Sequence, residues 1–140
     1  MNSSWICLDA SIVTRLCVPP VDDALKQQFE IWTASHKLIA PSLLYYETSN
    51  ALYKYYRHGL MTKEVLQKAS QVILNLPIDL ISDAMLHTQA LEIAAQYRLA
   101  ASYDAHYLAV AKRFDSNLWT MDRKLYHSVG SSFHNIKLWS

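Results

Sequence analysis

Glycine is nearly missing: Gly59 and Gly130 are the only two in 140 residues. Neither glycine-rich phosphate cradle can be built from two isolated glycines, which excludes a Rossmann dinucleotide site and a P-loop. Cysteine is equally scarce. Cys7 and Cys17 lie in or near apolar runs without a paired-ligand spacing, and read as buried thiols in a reducing compartment. No His-x-x-His or His-x-x-x-His pair occurs among the six histidines, which argues against a zinc site. There is no apolar stretch of roughly 18 residues to cross a bilayer and no basic start to a leader, so a cytoplasmic protein without membrane association is expected. A bias of charge is lacking too. At a net charge of +1, any surface for a polyanion must be a local patch. With 51% apolar residues and no repeat or low-complexity tract, residues 1–140 are expected to form one domain.

What is present is an alternation of short apolar runs with helical periodicity. Trp5-Ile6-Cys7-Leu8-Asp9 reads as a buried strand ending in a carboxylate. Ala10 to Cys17 follows as a short helix that Pro19-Pro20 must end. Asp22 and Asp23 open a helix to about Ser35, with Leu25, Phe29 and Trp32 on its inner face. Lys37 to Ala40 is a second strand, and Pro41 is expected at the first position of a helix running to about His58, stopped by Gly59. Thr62 caps a helix to about Asn75 with the stripe Val65, Leu66, Ala69, Val72 and Ile73. Pro77 to Ile81 is a third strand. Ser82 is expected to cap a helix from Asp83 to about Arg98 with Ala84, Leu91, Ala94 and Ala95 inward, and Ser102 the next, from Tyr103 to about Phe114. The latter carries a close-packing face of Ala105, Leu108, Ala109 and Ala111. Asn117 to Thr120, a short helix from Asp122 to Ser128, and a strand from His134 to Trp139 complete the chain. Strands alternating with helices imply a three-layer α/β fold, a parallel sheet covered on both faces.

Four carboxylates fall where such a fold brings side chains together. Asp9 ends the first strand, Asp122 follows the fourth, Asp104 opens a helix, and Glu47 lies two turns into another. Singly, Asp104 and Asp122 suit any helix N-terminus and Glu47 suits any solvated helix face. Asp9 is harder to dismiss, because it follows a run that should be buried. Together the four would repel unless a cation neutralised them or their pKa values rose. Mg²⁺ or Mn²⁺ is the expected ion, since both take carboxylate oxygens and keep several waters.

The order Asp9, Glu47, Asp104, Asp122 resembles the PIN domain, and more narrowly the VapC-type toxin nucleases of toxin–antitoxin pairs. The likeness rests on Leu8-Asp9-Ala10-Ser11, Glu47-Thr48-Ser49-Asn50-Ala51-Leu52, Tyr103-Asp104-Ala105-His106-Tyr107-Leu108-Ala109 and Thr120-Met121-Asp122. It implies a five-stranded parallel sheet of order 3-2-1-4-5, a divalent metal, cleavage of single-stranded RNA, and a VapB-like antitoxin whose C-terminal segment covers the active site. Asp9 and Asp104 resemble the core metal ligands, Glu47 a third and Asp122 a fourth, outer one. Ser11, Asn50 and Thr120 match supporting polar positions. The chain departs from the pattern in Ala10, where a hydroxyl residue is commoner, and in Phe114-Asp115-Ser116-Asn117, where many relatives carry a glycine.

Arg15, Lys54, Arg57, Lys112, Arg113, Arg123 and Lys124 flank the expected crevice. Each alone is an ordinary surface charge; as RNA contacts, Arg15, Arg123 and Lys124 stand nearest Asp9 and Asp122 in sequence. Tyr45, Tyr46, Tyr53, Tyr55 and Tyr56 are too many for one helix face, so some are expected at a homodimer or antitoxin interface. A phosphoacceptor receiver lacks its paired acids here, and Ser11 breaks the Asp-x-Asp of a haloacid-dehalogenase-like phosphatase. The remaining rival is a PIN fold that binds RNA or protein without turnover.

Overall fold

The computed structural model describes residues 4–133 and 135–140. Five strands form one parallel sheet, in the order β3-β2-β1-β4-β5: β1 (Trp5–Leu8), β2 (Lys37–Pro41), β3 (Ile78–Ile81), β4 (Asn117–Thr120) and β5 (Ile136–Leu138). Seven helices connect the strands among the described residues: α1 (Ala10–Cys17), α2 (Asp23–Ser35), α3 (Leu43–Arg57), α4 (Lys63–Leu74), α5 (Ala84–Tyr97), α6 (Tyr103–Arg113) and α7 (Arg123–Val129). The expected α/β class and strand order are therefore the observed ones.

Chain direction across the sheet reverses at β1. The path runs from β1 through β2 to β3, then jumps back to β4 on β1's other side. Right-handed crossovers put the two sets of connections on opposite faces. Accordingly α1, α3 and α4 pack on one another, while α5 packs on α6, which lies across β1, β2 and β4. The central strand is apolar on both sides, as a doubly covered strand must be: Cys7 and Leu8 are fully buried. α6 is buried nearly all round, with Ala105, Tyr107, Leu108, Val110 and Ala111 inaccessible. Its alanines let it approach both the sheet and α5. The switch point, where ligands bind in open α/β sheets, falls between the carboxyl ends of β1 and β4.

Several local expectations give way to the packing. Pro41 does not open α3; it ends β2, paired with Ile81. Ser42 N–H reaches the Ile81 carbonyl at 3.1 Å, so an N–H at Pro41 would face β1, whose ladder with β2 has already ended at Ile39. Asp83, not Ser82, caps α5, its Oδ1 accepting from Leu86 N–H at 2.8 Å. Ser102 holds the N-cap position of α6 without a side-chain capping bond, whereas Thr62 caps α4 as expected.

The inner face of α5 is Leu86, Ala90 and Ile93; Ala84 and Ala95 are exposed, and Leu91 is 63% exposed. Both sets repeat helically, with mean directions roughly 135° apart, so periodicity alone could not choose between them. On α4, Ala69 and Ile73 are buried but Val72 is 51% exposed. β5 is shorter than expected, and its predicted first residue, His134, lies outside the described residues. Gly59 takes φ +74° just past α3, with Leu60 N–H on Tyr55 O and Gly59 N–H on Tyr56 O, the paired bonds of a Schellman stop. After α6 the same pair of bonds turns on Asp115, at φ +48°, the left-handed position where a glycine would be at ease.

Candidate active site

Asp9 stands one residue past β1, where its N–H extends the ladder to Trp119 O at 3.0 Å. The central strand thus delivers a carboxylate straight into the switch point, only 6% exposed. Its Oδ2 accepts from Ser11 Oγ and from Thr120 Oγ1, both at 2.7 Å. Each hydroxyl has one proton, spent on Asp9, and accepts in turn from the chain after β4: Met121 N–H on Ser11 Oγ and Asp122 N–H on Thr120 Oγ1, both at 3.0 Å. Two hydroxyls therefore clamp the turn after β4 onto the acid after β1. Burial raises the Asp9 pKa; the Thr120 and Ser11 hydroxyls and the Ala10 N–H oppose it, and the Asp122 charge raises it further.

The other three acids line the same cleft, of about 480 Å³, with Ser11, Arg15, Asn50 and Lys54. Asp104 sits in the first turn of α6 with its pKa pushed up to about 6, first by burial and then by the charges of Asp9, Asp122 and Glu47. Glu47, half-buried on α3, is raised by burial and by Asp9, against a hydrogen bond from Tyr107 and the nearby His106. Asp122 caps α7 through Leu125 N–H at 3.0 Å while still facing the cleft, so the bland reading of that residue is true as well. All four acids expected to converge do share one opening.

The basic residues divide. Arg15 lines the cleft, but its guanidinium donates to the carbonyls of Val18 and Pro20. Arg123 and Lys124 are exposed on α7 and do not line the cleft. Arg113 is drawn away into a two-point pair with Asp83, at 2.5 and 3.0 Å, and Lys112 lines a separate cavity.

Sequence reasoning missed Tyr107. Its ring is fully buried and its hydroxyl donates to Glu47 Oε1 at 2.6 Å across 60 residues of chain. Burial holds the phenol far above its ordinary pKa, so it stays a donor. One signal was available: a polar-tipped ring three residues after Asp104, amid alanines that pack closely, must find a partner.

Every donor facing the cleft from the four acids is a carboxylate oxygen, the set that hard divalent cations prefer. Among the described residues, no three Asp, Glu, His or Cys side chains stand close enough to grip an ion as they are. Like charges at this spacing keep apart, and Glu47 is turned to Tyr107.

Fold and cleft together define an α/β protein of the acid-cleft class, with carboxylates converging at the switch point of a five-stranded parallel sheet. More particularly, the chain belongs to the PIN domain family, whose model matches residues 7–135. It is 28% identical over 125 residues to Ribonuclease VapC3 of Pyrobaculum aerophilum, covering 86% of this chain and 91% of that relative. Among solved structures it is similar to PAE2754 from Pyrobaculum aerophilum, with a TM-score of 0.69 and 26% identity over 91% of this chain and 87% of that one. A toxin–antitoxin complex from Klebsiella pneumoniae shares the fold, with a TM-score of 0.67 at 18% identity, over 94% of this chain and 95% of that one. No helix among the described residues is long and apolar enough to cross a membrane.

Proposed function

We propose that residues 1–140 form one nuclease domain, a Mg²⁺- or Mn²⁺-dependent endoribonuclease that hydrolyses single-stranded RNA in the cytoplasm as the toxin of a toxin–antitoxin pair. The observation that carries this reading is that Asp9, Glu47, Asp104 and Asp122, from four separate elements, line one cleft. Burial and the neighbouring acid charges raise the pKa values of Asp9, Glu47 and Asp104, which disfavours their ionised forms in the fold, and a cation is the simplest relief. Asp9 and Asp104 would be its core ligands, with Glu47 a third and Asp122 an outer fourth. When bound, such an ion supplies a water of lowered pKa and offsets the charge that builds on a phosphate under attack.

The chain's own groups prepare the site. Ser11 and Thr120 donate to the buried Asp9, oppose the rise that burial causes in its pKa, and fix its rotamer. Tyr107 orients Glu47 and stays protonated. Lys54 and Asn50 line the approach, where an ammonium and an amide can meet a phosphate and a ribose hydroxyl. Arg15, committed to two carbonyls, contributes a fixed positive field there, while Arg123 and Lys124 meet phosphates outside the cleft. The likeness to VapC3 supports ribonuclease activity, and the Klebsiella complex supports a VapB-like antitoxin as partner. Exposed Tyr53, Tyr55 and Tyr56 on α3 support a homodimer or antitoxin contact.

The rival is a PIN fold that binds without turnover. Wild type and Asp9→Asn assayed on single-stranded RNA with Mn²⁺ separate the two. Cleavage by wild type, abolished by the substitution and by chelator, is the expected result. RNA binding with no cleavage by either protein at millimolar Mn²⁺ would establish the binding module instead.

A further inference from the structure

A second opening adjoins the acidic cleft. It encloses about 320 Å³ and is lined by Leu43 and Tyr46 of α3, Leu86 and His87 of α5, and Tyr103 and His106 of α6. Its tyrosines are the immediate sequence neighbours of two cleft acids: Tyr46 precedes Glu47 and Tyr103 precedes Asp104. Successive helix residues point about 100° apart. Near their N-terminal ends α3 and α6 therefore send their acids into one opening and their rings toward the other. Both rings stand largely in solvent, Tyr46 at 76% and Tyr103 at 60% exposure.

The histidines between them form a directed chain. His106 Nδ1 lies 2.7 Å from the Ser102 carbonyl, which can only accept, so that nitrogen carries the hydrogen. In the tautomer with that hydrogen alone on the ring, His106 Nε2 accepts from His87 Nδ1–H at 2.9 Å, with the rings edge to face. His87 Nε2 is then the acceptor at the end of the chain. Exposed aromatic rings, an apolar floor and one oriented acceptor suit a planar heterocycle with an N–H edge. The volume is at the small end of ligand sites, which run from roughly 300 to 1,000 Å³.

We propose that this groove is a nucleobase subsite: it stacks one base of the RNA strand on Tyr46 and Tyr103 and reads its N–H edge with His87, while the adjoining phosphate enters the acidic cleft. The assignment as a substrate subsite rests on the nuclease reading, but the test of base binding does not. Adenosine and cytidine carry no phosphate, so titrating them into the metal-free protein, with ribose as control, isolates the groove from the cleft. Saturable shifts of the His87 and His106 ring protons in NMR are expected with the nucleosides and not with ribose. Tyr46→Ala and Tyr103→Ala should each weaken nucleoside affinity roughly 5- to 150-fold, the worth of one stacked base. Their melting temperatures should hold, because both rings are exposed. His87→Phe keeps a ring but not the acceptor, and should lose less than either tyrosine variant.

Equal responses to ribose and nucleoside, or tyrosine variants that bind like wild type, would overturn the proposal even in a chain that cleaves RNA. So would a tyrosine variant that turns a dimer into a monomer with no nucleoside response, which assigns the groove to a second copy. Base binding by a chain that cleaves no RNA with Mn²⁺ would defeat the nuclease reading and the substrate role together.

Discussion

Replacing Asp104 by asparagine should make the metal-free protein more stable at neutral pH. The Asp104 carboxyl has its pKa pushed up to about 6 from an ordinary 3.8 by burial and by Asp9, Asp122 and Glu47. At about 1.4 kcal/mol per pKa unit, ionising it in the native state costs at most ~3 kcal/mol. The group is only half-buried, and solvent screening reduces this to about 1–2 kcal/mol. One effect opposes: a negative charge in the first turn of α6 gains about 0.3–1 kcal/mol from the helix N-terminus. Repulsion and burial win by about 1 kcal/mol, which for a domain of this size is roughly 3–5 °C in melting temperature.

The pH dependence gives the reasoning its sharper edge. A carboxyl whose folded pKa exceeds its unfolded one penalises the fold fully above about pH 6, progressively less as pH falls, and not at all below about 3.8. The advantage of Asp104→Asn should therefore be present at pH 7.5 in chelator and absent at pH 4. Millimolar Mn²⁺ should reverse the order, because wild type gains about 2.7 kcal/mol at a hundredfold excess over its dissociation constant and the variant gains less. Thermal melts followed by circular dichroism, from pH 4 to 8 with and without Mn²⁺, measure all three. A variant that melts lower than wild type by the same amount at every pH, with no response to metal in either protein, would refute the shared-cleft electrostatics.

Removing the Tyr107 hydroxyl in Tyr107→Phe keeps the buried ring but frees Glu47 Oε1; Mn²⁺ affinity by calorimetry should fall roughly 10- to 100-fold, with stability lowered by about 1 kcal/mol. Thr120→Val leaves Asp122 N–H without its acceptor and Asp9 with one hydroxyl fewer. Urea unfolding should show a loss of about 2–3 kcal/mol, whereas an unchanged midpoint would mean the clamp contributes nothing. On α5, Ile93→Ala should cost about 2–4 kcal/mol and Leu91→Ala under about 0.5, the reverse of what the residues facing inward by periodicity alone would give.

The alternation of runs and helices was enough to give a parallel sheet covered on both faces, because a buried central strand such as Ile6-Cys7-Leu8 cannot be disguised; the strand order came from the resemblance to the PIN domain. The acids were legible for a related reason: Asp9 is polar where the pattern requires apolar. What sequence left open was decided by tertiary partners. α5 carries two apolar stripes, and only its seat on α6 selects Leu86 and Ile93. Pro41 looked like a helix start because its missing N–H is harmless there, yet it is equally harmless where β2 has outrun β1. Asp83 outdid Ser82 as a cap because it also pairs with Arg113, a partner thirty positions away. Tyr107 was passed over because its hydroxyl has meaning only beside Glu47, and no spacing rule links α3 with α6.

The clamp on Asp9 joins groups 111 positions apart in the chain. During synthesis, a ribosome that has released β1 and everything up to α6 has still not supplied the hydroxyl that steadies this acid, nor the strand whose Trp119 carbonyl anchors its backbone. An incomplete polypeptide therefore lacks both the hydroxyl and the strand that set the crevice's central acid, and the site is finished only once β4 has joined the sheet.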